Sequence, residues 1–306
     1  MKTSLRLGAF MAAVLFSACR VTPPSPPQGQ PLNAATFSGT GSWEFVPAEP
    51  LDDRPIEVFY HIPEDANTLT PILITFHGNG RDGDYSRDAL INLANQRNFI
   101  VLAPTYTKEL YPTNRYHLGN VFDDGEESAT SALNPTSEWT YSTVEPIFYE
   151  FTIAVQSEAK WFDLFGHSAG GQFVHRMVQF MPAMNYRKAV AAASGWYTVP
   201  DSTIPFPYGT QYTPIQFYQQ LDYFSRDVLI LVGEDDTDEN SAGLRHTPEA
   251  DAQGLNRFDR AHFFYGESAL RAQQIQADFN WDLQVSPGVN HSYLGNAAYA
   301  IDLMYP

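Results

Sequence analysis

Short apolar runs and longer amphipathic stretches alternate along most of the chain. Residues 71–76 form a largely apolar run that ends at a His-Gly pair, a pattern typical of a strand buried on both faces. Apolar residues then recur at helical spacing over 84–97, and residues 99–103 predict a second buried strand that ends before Pro104. Further strands are predicted at 161–165, 189–193, 228–232 and 281–285, and helices at 149–156, 170–181, 268–279 and 297–304.

This alternation of strand and helix predicts an α/β fold, with a mostly parallel central sheet covered by helices on both faces. Two long stretches interrupt it, residues 107–142 and 194–226, and both follow predicted strands. Loops of that length are usually functional, and ligands bind at the carboxyl ends of parallel strands. We therefore expect two cap-like insertions that line a substrate crevice, the alternative being that they only decorate the surface.

The first residues have the pattern of an export signal. Lys2 and Arg6 precede an apolar run over 7–16 that is too short to cross a bilayer, and small residues follow it. Residues 1–18 are therefore predicted to be a signal peptide, which implies that the protein acts outside the cytoplasm.

The end of this run, Leu-Phe-Ser-Ala followed by Cys19, resembles the lipobox of bacterial lipoproteins, in which the cysteine is acylated. Phe16 stands where that pattern has Leu, so ordinary cleavage and secretion remain the alternative. Cys19 is the one cysteine of the chain, which excludes an intramolecular disulfide. By the same resemblance, Arg20 favours the outer membrane. The Pro-rich residues 19–33 predict an extended tether.

The remaining domain, 34–306, is strongly acidic. The whole chain carries a net charge of −17, and removing 1–18 takes away two positive charges and no acids, which gives −19. Nucleic acid is therefore excluded as a partner, and polyanionic substrates are disfavoured.

The strongest chemical motif is Gly166-His167-Ser168-Ala169-Gly170, because a predicted strand precedes it and a predicted helix follows. A serine hydroxyl is a weak nucleophile and must be held clear of the sheet, where a histidine can reach it. A sharp turn between strand and helix does this, and glycines permit the crowded backbone. The motif closely resembles the nucleophile elbow of α/β-hydrolases, and the resemblance extends from about Val46 to the C-terminus.

This resemblance implies the other members of the site. His77-Gly78-Asn79-Gly80 matches an oxyanion loop, so the backbone N–H groups of Asn79 and Ala169 are the expected oxyanion donors. The family order of serine, acid and histidine points to Asp236 and to His291, each just after a later strand. Asp235 is the rival acid, since an error of one residue in register would present it instead.

The sequence contains no complete metal-binding or cofactor-binding motif. Residues 236–240 begin like a calcium loop, but Ser241 stands where that loop needs glycine and Thr247 where it needs glutamate. The chain also lacks a zinc-protease helix, a phosphate loop and a dinucleotide fingerprint. We therefore expect acyl transfer without metal or cofactor.

Aromatic residues in the insertions, Trp139, Trp196 and Tyr197, are candidates for binding substrate, although they equally suit packing of the insertions. The chain is similar to secreted feruloyl esterases and polyhydroxyalkanoate-depolymerase-like proteins, which implies hydrolysis of a small-molecule or polymeric ester. A peptidase or amidase using the same three residues is one alternative. The other is a non-catalytic, ligand-binding lipoprotein on a hydrolase scaffold.

Overall fold

The computed structural model describes residues 29–306. The predicted signal peptide, Cys19 and residues 20–28 of the predicted tether lie outside the described residues. The last tether residues contact the domain, since the Gln30 N–H donates to the Thr68 hydroxyl and the Asn33 N–H to the Val155 carbonyl.

One twisted sheet runs through this part of the chain, with strand order β1-β2-β4-β3-β5-β6-β7-β8. β1 pairs antiparallel with β2 and β2 antiparallel with β4, whereas all other pairs are parallel. The strands are β1 Thr40–Phe45, β2 Ile56–His61, β3 Ile72–Phe76, β4 Ile100–Thr105, β5 Phe162–His167, β6 Tyr186–Ala192, β7 Asp227–Gly233 and β8 Trp281–Ser286.

Helices connect the parallel strands and cover both faces of the sheet. The helices are α1 Gly83–Asp88, α2 Ile91–Arg97, α3 Thr113–Tyr116, α4 Val144–Val155, α5 Ala169–Phe180, α6 Phe217–Phe224, α7 Pro248–Asp251, α8 Arg257–Ile275 and α9 Tyr293–Met304. Two short 3-10 turns, Thr136–Glu138 and Thr140–Thr143, precede α4. None of the helices within 29–306 combines the length and the apolar character that crossing a membrane requires.

The central strands are apolar on both sides because each face packs on helices. In β3, Leu73 belongs to the core beneath α2 and α9, while the next residue, Ile74, belongs to the core beneath α4, α5 and α8. All five residues of β3 are buried. The strand alternation thus divides the apolar residues between two layers of core, and the predicted α/β architecture is confirmed.

The structure corrects three local predictions and adds two strands. The helix predicted over 268–279 is α8, which begins much earlier, at Arg257, and ends at Ile275. The predicted helix over 84–97 is two helices, α1 and α2, separated at residues 89–90. Pro104 lies inside β4 instead of ending it. β3 pairs with β4 only as far as Leu102, so Pro104 lies where the strand has a neighbour on one side only, a place that tolerates proline. β1 and β2 were not predicted.

Both insertions are present, and they pack on one another. The Ser128 hydroxyl of the first insertion donates to the carbonyl of Phe206 in the second, and Phe122 contacts the Phe206 ring. Arg176 on α5 donates both to the His117 carbonyl and to the Thr198 hydroxyl, at 2.9 and 2.8 Å. The two insertions therefore form one layer that is fastened to the helix after Ser168.

Candidate active site

Ser168 lies at the sharp turn between β5 and α5, with backbone angles φ 59° and ψ −114°. Few non-glycine residues adopt this conformation, which holds the serine clear of the sheet. The flanking glycines allow the close approach that the turn needs. An added Cβ would lie 2.2 Å from the Gly170 carbonyl oxygen if placed on Gly166, and 2.2 Å from the Phe76 carbonyl oxygen if placed on Gly170.

A continuous chain of hydrogen bonds joins Ser168, His291 and Asp236. The Ser168 Oγ lies 3.0 Å from His291 Nε2, and His291 Nδ1 lies 2.7 Å from Asp236 Oδ2. A carboxylate can only accept, so His291 carries its proton on Nδ1 and leaves Nε2 to accept from the serine hydroxyl. The imidazole is therefore oriented to remove the serine proton.

The geometry distinguishes between the two candidate acids. Asp236 is buried, with 3% of its side chain exposed, and it contacts His291. Asp235 is exposed, and its backbone N–H donates to the Val289 carbonyl. Asp236 is thus the carboxylate that faces the histidine, as the family order of residues predicts.

The predicted oxyanion loop lies beside Ser168. An added Cβ on Gly78 would lie 3.9 Å from the Ser168 Cβ. Within the described part of the chain, neither the Asn79 N–H nor the Ala169 N–H donates to another protein group. Both N–H groups are therefore available to a developing oxyanion, the second at the start of α5.

His77 fixes the conformation of this loop. Its Nε2 accepts from the Tyr106 N–H at 2.9 Å, so the proton sits on Nδ1 and is donated to the Gly78 carbonyl at 3.0 Å. Burial lowers the pKa of His77 to about 3, so the ring stays neutral. The Gly78 carbonyl and the Asn79 N–H belong to the same trans peptide, so they point in opposite directions. The hydrogen bond from His77 to the Gly78 carbonyl therefore turns the Asn79 N–H away from His77.

His167 packs against His291, with ring centroids 4.6 Å apart. Its Nε2 is buried and finds no partner within residues 29–306. Burial places the pKa of His167 well below its usual value, so it is a neutral neighbour of the candidate base.

Ser168 and His291 open into a cavity of about 210 Å³. Loop 78–80, Asp82, His167 and residues of α1 and α9 complete its lining, and no residue of either insertion lines it. Its aromatic wall is Tyr85, which is 47% exposed and packs edge-on against Tyr293. The Tyr293 hydroxyl is tied to Thr75 at 2.8 Å. The position of Tyr85, directly after the oxyanion loop, is the sequence signal that would have identified it.

The structure does not bring the three predicted aromatic residues to this cavity. Tyr197 is fully buried and stacks on Phe264, with 4.4 Å between ring centroids. Trp196 lies against the Arg176 guanidinium, and Trp139 donates from its ring N–H to the Asn134 carbonyl. In this conformation all three pack the insertions onto the domain.

Residues 29–306 hold no group of three or more His, Cys, Asp or Glu side chains that could bind a metal ion. Residues 236–240, which begin like a calcium loop, belong to this part of the chain. Its first residue, Asp236, is engaged with His291 and the Arg257 guanidinium.

The sheet order, the elbow and the neighbouring histidine define the chain as an α/β-hydrolase of the serine hydrolase class. No protein-family model and no curated protein matches it. A structure of poly(aspartic acid) hydrolase-1 from Sphingomonas sp. KT-1 is 37% identical, with a TM-score of 0.82 over 88% of this chain and 99% of that one. The chain therefore belongs to the family of that hydrolase.

Two further structures place this family within the fold. A poly(3-hydroxybutyrate) depolymerase from Bordetella parapertussis is 28% identical, with a TM-score of 0.81 over 88% of this chain and 90% of that one. A thermostable esterase is 12% identical, with a TM-score of 0.53 over 86% of this chain and 60% of that one, which shows the fold alone.

Proposed function

We propose that this protein hydrolyses carboxylic esters through an acyl-enzyme formed on Ser168. The observation that carries the proposal is the unbroken hydrogen-bond chain from Ser168 through His291 to Asp236, with its serine facing a cavity. A non-catalytic scaffold has no need to keep all three groups aligned and the serine backbone strained.

In the first half of the reaction, His291 takes the Ser168 proton while the serine oxygen attacks the substrate carbonyl. The Asn79 and Ala169 N–H groups stabilise the oxyanion, and His291 then protonates the leaving alcohol. In the second half, His291 activates water, which attacks the acyl-enzyme and releases the acid. Asp236 holds the imidazole tautomer and stabilises its charged form.

The comparisons support a polymer or oligomer of linked acid units as the substrate class. The names of the two most similar structures given above denote hydrolysis of poly(aspartic acid) and of poly(3-hydroxybutyrate). Aspartate joined through its side-chain carboxyl has the backbone of 3-hydroxybutyrate, with nitrogen in place of oxygen and a carboxylate in place of methyl. In both polymers three atoms separate successive carbonyl carbons, so one cavity could accept either chain.

Charge favours the ester of this pair for the present chain. The net charge of −17 repels a polyanion such as poly(aspartic acid), whereas a 3-hydroxybutyrate oligomer is uncharged along its length. The uncharged wall formed by Tyr85 also suits an apolar acyl group.

Amide hydrolysis of an aspartate polymer is the second candidate, and the 37% identity to a poly(aspartic acid) hydrolase favours it. The same serine, histidine and oxyanion donors act on an amide, with His291 protonating an amine as it leaves. Repulsion by the acidic surface then predicts that turnover of this substrate rises with ionic strength.

The proposal is tested by hydrolysis of p-nitrophenyl esters from acetate to long-chain and feruloyl, then of 3-hydroxybutyrate and side-chain-linked aspartate oligomers, by the protein and by Ser168→Ala. Serine-dependent cleavage of the hydroxybutyrate oligomer supports the ester proposal. Serine-dependent cleavage of the aspartate oligomer alone supports the amide candidate. No cleavage of any substrate by folded protein would reject both in favour of a binding role.

We also propose that the protein is exported and held at a bacterial membrane by a lipid on Cys19. The support is the signal-like N-terminus and the lipobox-like residues that end in this cysteine. Labelled palmitate should be incorporated into the protein and lost in Cys19→Ala. Equal labelling of the two would reject the anchor, and export without label would favour the secreted form.

A further inference from the structure

Arg257, the first residue of α8, lies directly behind the catalytic carboxylate. We propose that Arg257 is a positioning residue whose positive charge, beside Asp236, opposes protonation of His291, so that the enzyme works to lower pH. This inference rests on the proposed function of Ser168 and His291.

The two oxygens of Asp236 have different partners. Oδ2 accepts from His291 Nδ1 at 2.7 Å, while Oδ1 lies 3.6 Å from Arg257 Nη1. The Arg257 and Asp236 side chains are each only 3% exposed, so water screens the pair weakly. The N-terminus of α8 also lies at Asp236, since the Phe258 N–H donates to the Asp236 backbone carbonyl. A helix N-terminus carries a partial positive charge, which favours a carboxylate nearby.

Arg257 is poorly satisfied apart from this contact. Nη1 donates to the Ser241 hydroxyl at 2.7 Å, and the buried Nε has no partner within the described residues. Arg260, one turn further along α8, is also buried but is bonded to Asp251, the Gly254 carbonyl and the Gly195 carbonyl. Burying a guanidinium with an unpaired N–H is costly, so local packing alone does not account for Arg257.

Apart from Arg260, whose charge is paired with Asp251, the groups around the pair carry no buried positive charge. His167 from β5 is neutral, since burial lowers its pKa far below the usual value, and Tyr293 from α9 packs on it. Burial raises the pKa of Tyr197 from the second insertion, so it is neutral as well. The carboxylates of Asp235 and Asp238, which follow β7, lie in exposed residues.

Arg257 therefore opposes the effect of Asp236 on the histidine. The carboxylate stabilises the imidazolium that forms during acyl transfer, and the guanidinium behind it offsets part of that stabilisation. Removing the positive charge should raise the pKa of His291. The unprotonated base would then be lost at a higher pH.

The test compares Arg257→Gln and Arg257→Met with Arg257→Lys, and uses Arg260→Gln as the matched buried-arginine control. The pH dependence of kcat/KM on a p-nitrophenyl ester gives the acid limb. NMR titration of His291 in the Ser168→Ala background gives the same pKa without any turnover. If Arg257→Gln does not fold, Arg257→Met provides a second uncharged variant, because its side chain keeps the apolar stem of the arginine.

We expect both uncharged variants to move the acid limb and the His291 titration upward by about one pH unit. Arg257→Lys should stay near the wild-type limb, and Arg260→Gln should lose stability without a comparable shift. An unchanged His291 titration in a folded uncharged variant would overturn the inference and leave Arg257 a structural residue. Wild-type protein that hydrolyses no ester would instead reject the proposed function, while the NMR titration still decides the role of Arg257.

Discussion

At the residue scale, the site departs from ordinary local preferences where its chemistry requires it. Ser168 has a positive φ that few L-residues adopt, and Asp236 is a carboxylate placed almost entirely out of water. Each departure is offset by its neighbours: glycines surround the serine, and His291 and Arg257 contact the acid. Such strained or buried polar positions are where sequence rules are expected to give way to function.

The two adjacent aspartates allow a matched test of the acid. Asp236→Asn should lower kcat/KM by roughly 10³ to 10⁴-fold, because the amide no longer selects the tautomer that leaves Nε2 free to accept. Asp235→Asn should stay within a few-fold of wild type, since that side chain points to solvent. Comparable losses in both variants would contradict the assignment.

At the element scale, the elbow depends on how closely three elements approach one another. Gly170 at the start of α5 lies against the last residue of β3, and Gly171 lies against the carbonyl of Ala192 at the end of β6. The strands that position these groups were predictable because they are buried on both faces and appear as continuous apolar runs. β1 and β2 were not predicted. β1 is half exposed, and its Thr, Gly and Ser residues give no apolar periodicity.

A pair of glycine substitutions tests this packing. Gly170→Ala should destabilise the fold by about 2 kcal/mol or more, because its new Cβ would meet the Phe76 carbonyl. Gly266→Ala, at an exposed position of α8 with nothing within 4 Å, should stabilise by up to about 1 kcal/mol. Urea unfolding of both variants gives the two free energies. Equal effects would mean that the elbow is not tightly packed.

At the scale of the whole molecule, buried histidines couple the fold to pH. Burial lowers the pKa of His77 and of His117 to about 3, and holds those of His167 and His175 well below the usual value. All four take up protons near pH 6.5 once the chain unfolds. The unfolded state therefore binds more protons below that pH, and stability falls as the pH drops.

The expected loss between pH 6 and pH 4 is at most about 5.5 kcal/mol per pH unit, if all four histidines contribute one proton each. His117→Gln should make this dependence shallower by about one quarter, whereas His262→Gln, at an exposed position, should leave it unchanged. Urea unfolding at several pH values measures the slope. If the free energy of unfolding of His117→Gln followed the same pH dependence as that of the wild type from pH 7 to pH 5, the account would be contradicted.

The same scale shows what sequence reasoning could not supply. The residues of the proposed triad and oxyanion loop lie at strand ends, so their positions follow from the order of elements. The destination of an aromatic side chain in a long insertion depends on how that insertion packs. Trp139, Trp196 and Tyr197 fill the interior of the insertion layer, and Tyr85 on a short helix reaches the cavity instead.

The most direct test of the central claim is the rate of p-nitrophenyl ester hydrolysis by the wild-type protein beside Ser168→Ala, with folding of both checked by circular dichroism. The account predicts turnover by the wild type and, in the variant, a fall to the background rate with the fold unchanged. Full activity in a folded Ser168→Ala variant would contradict it.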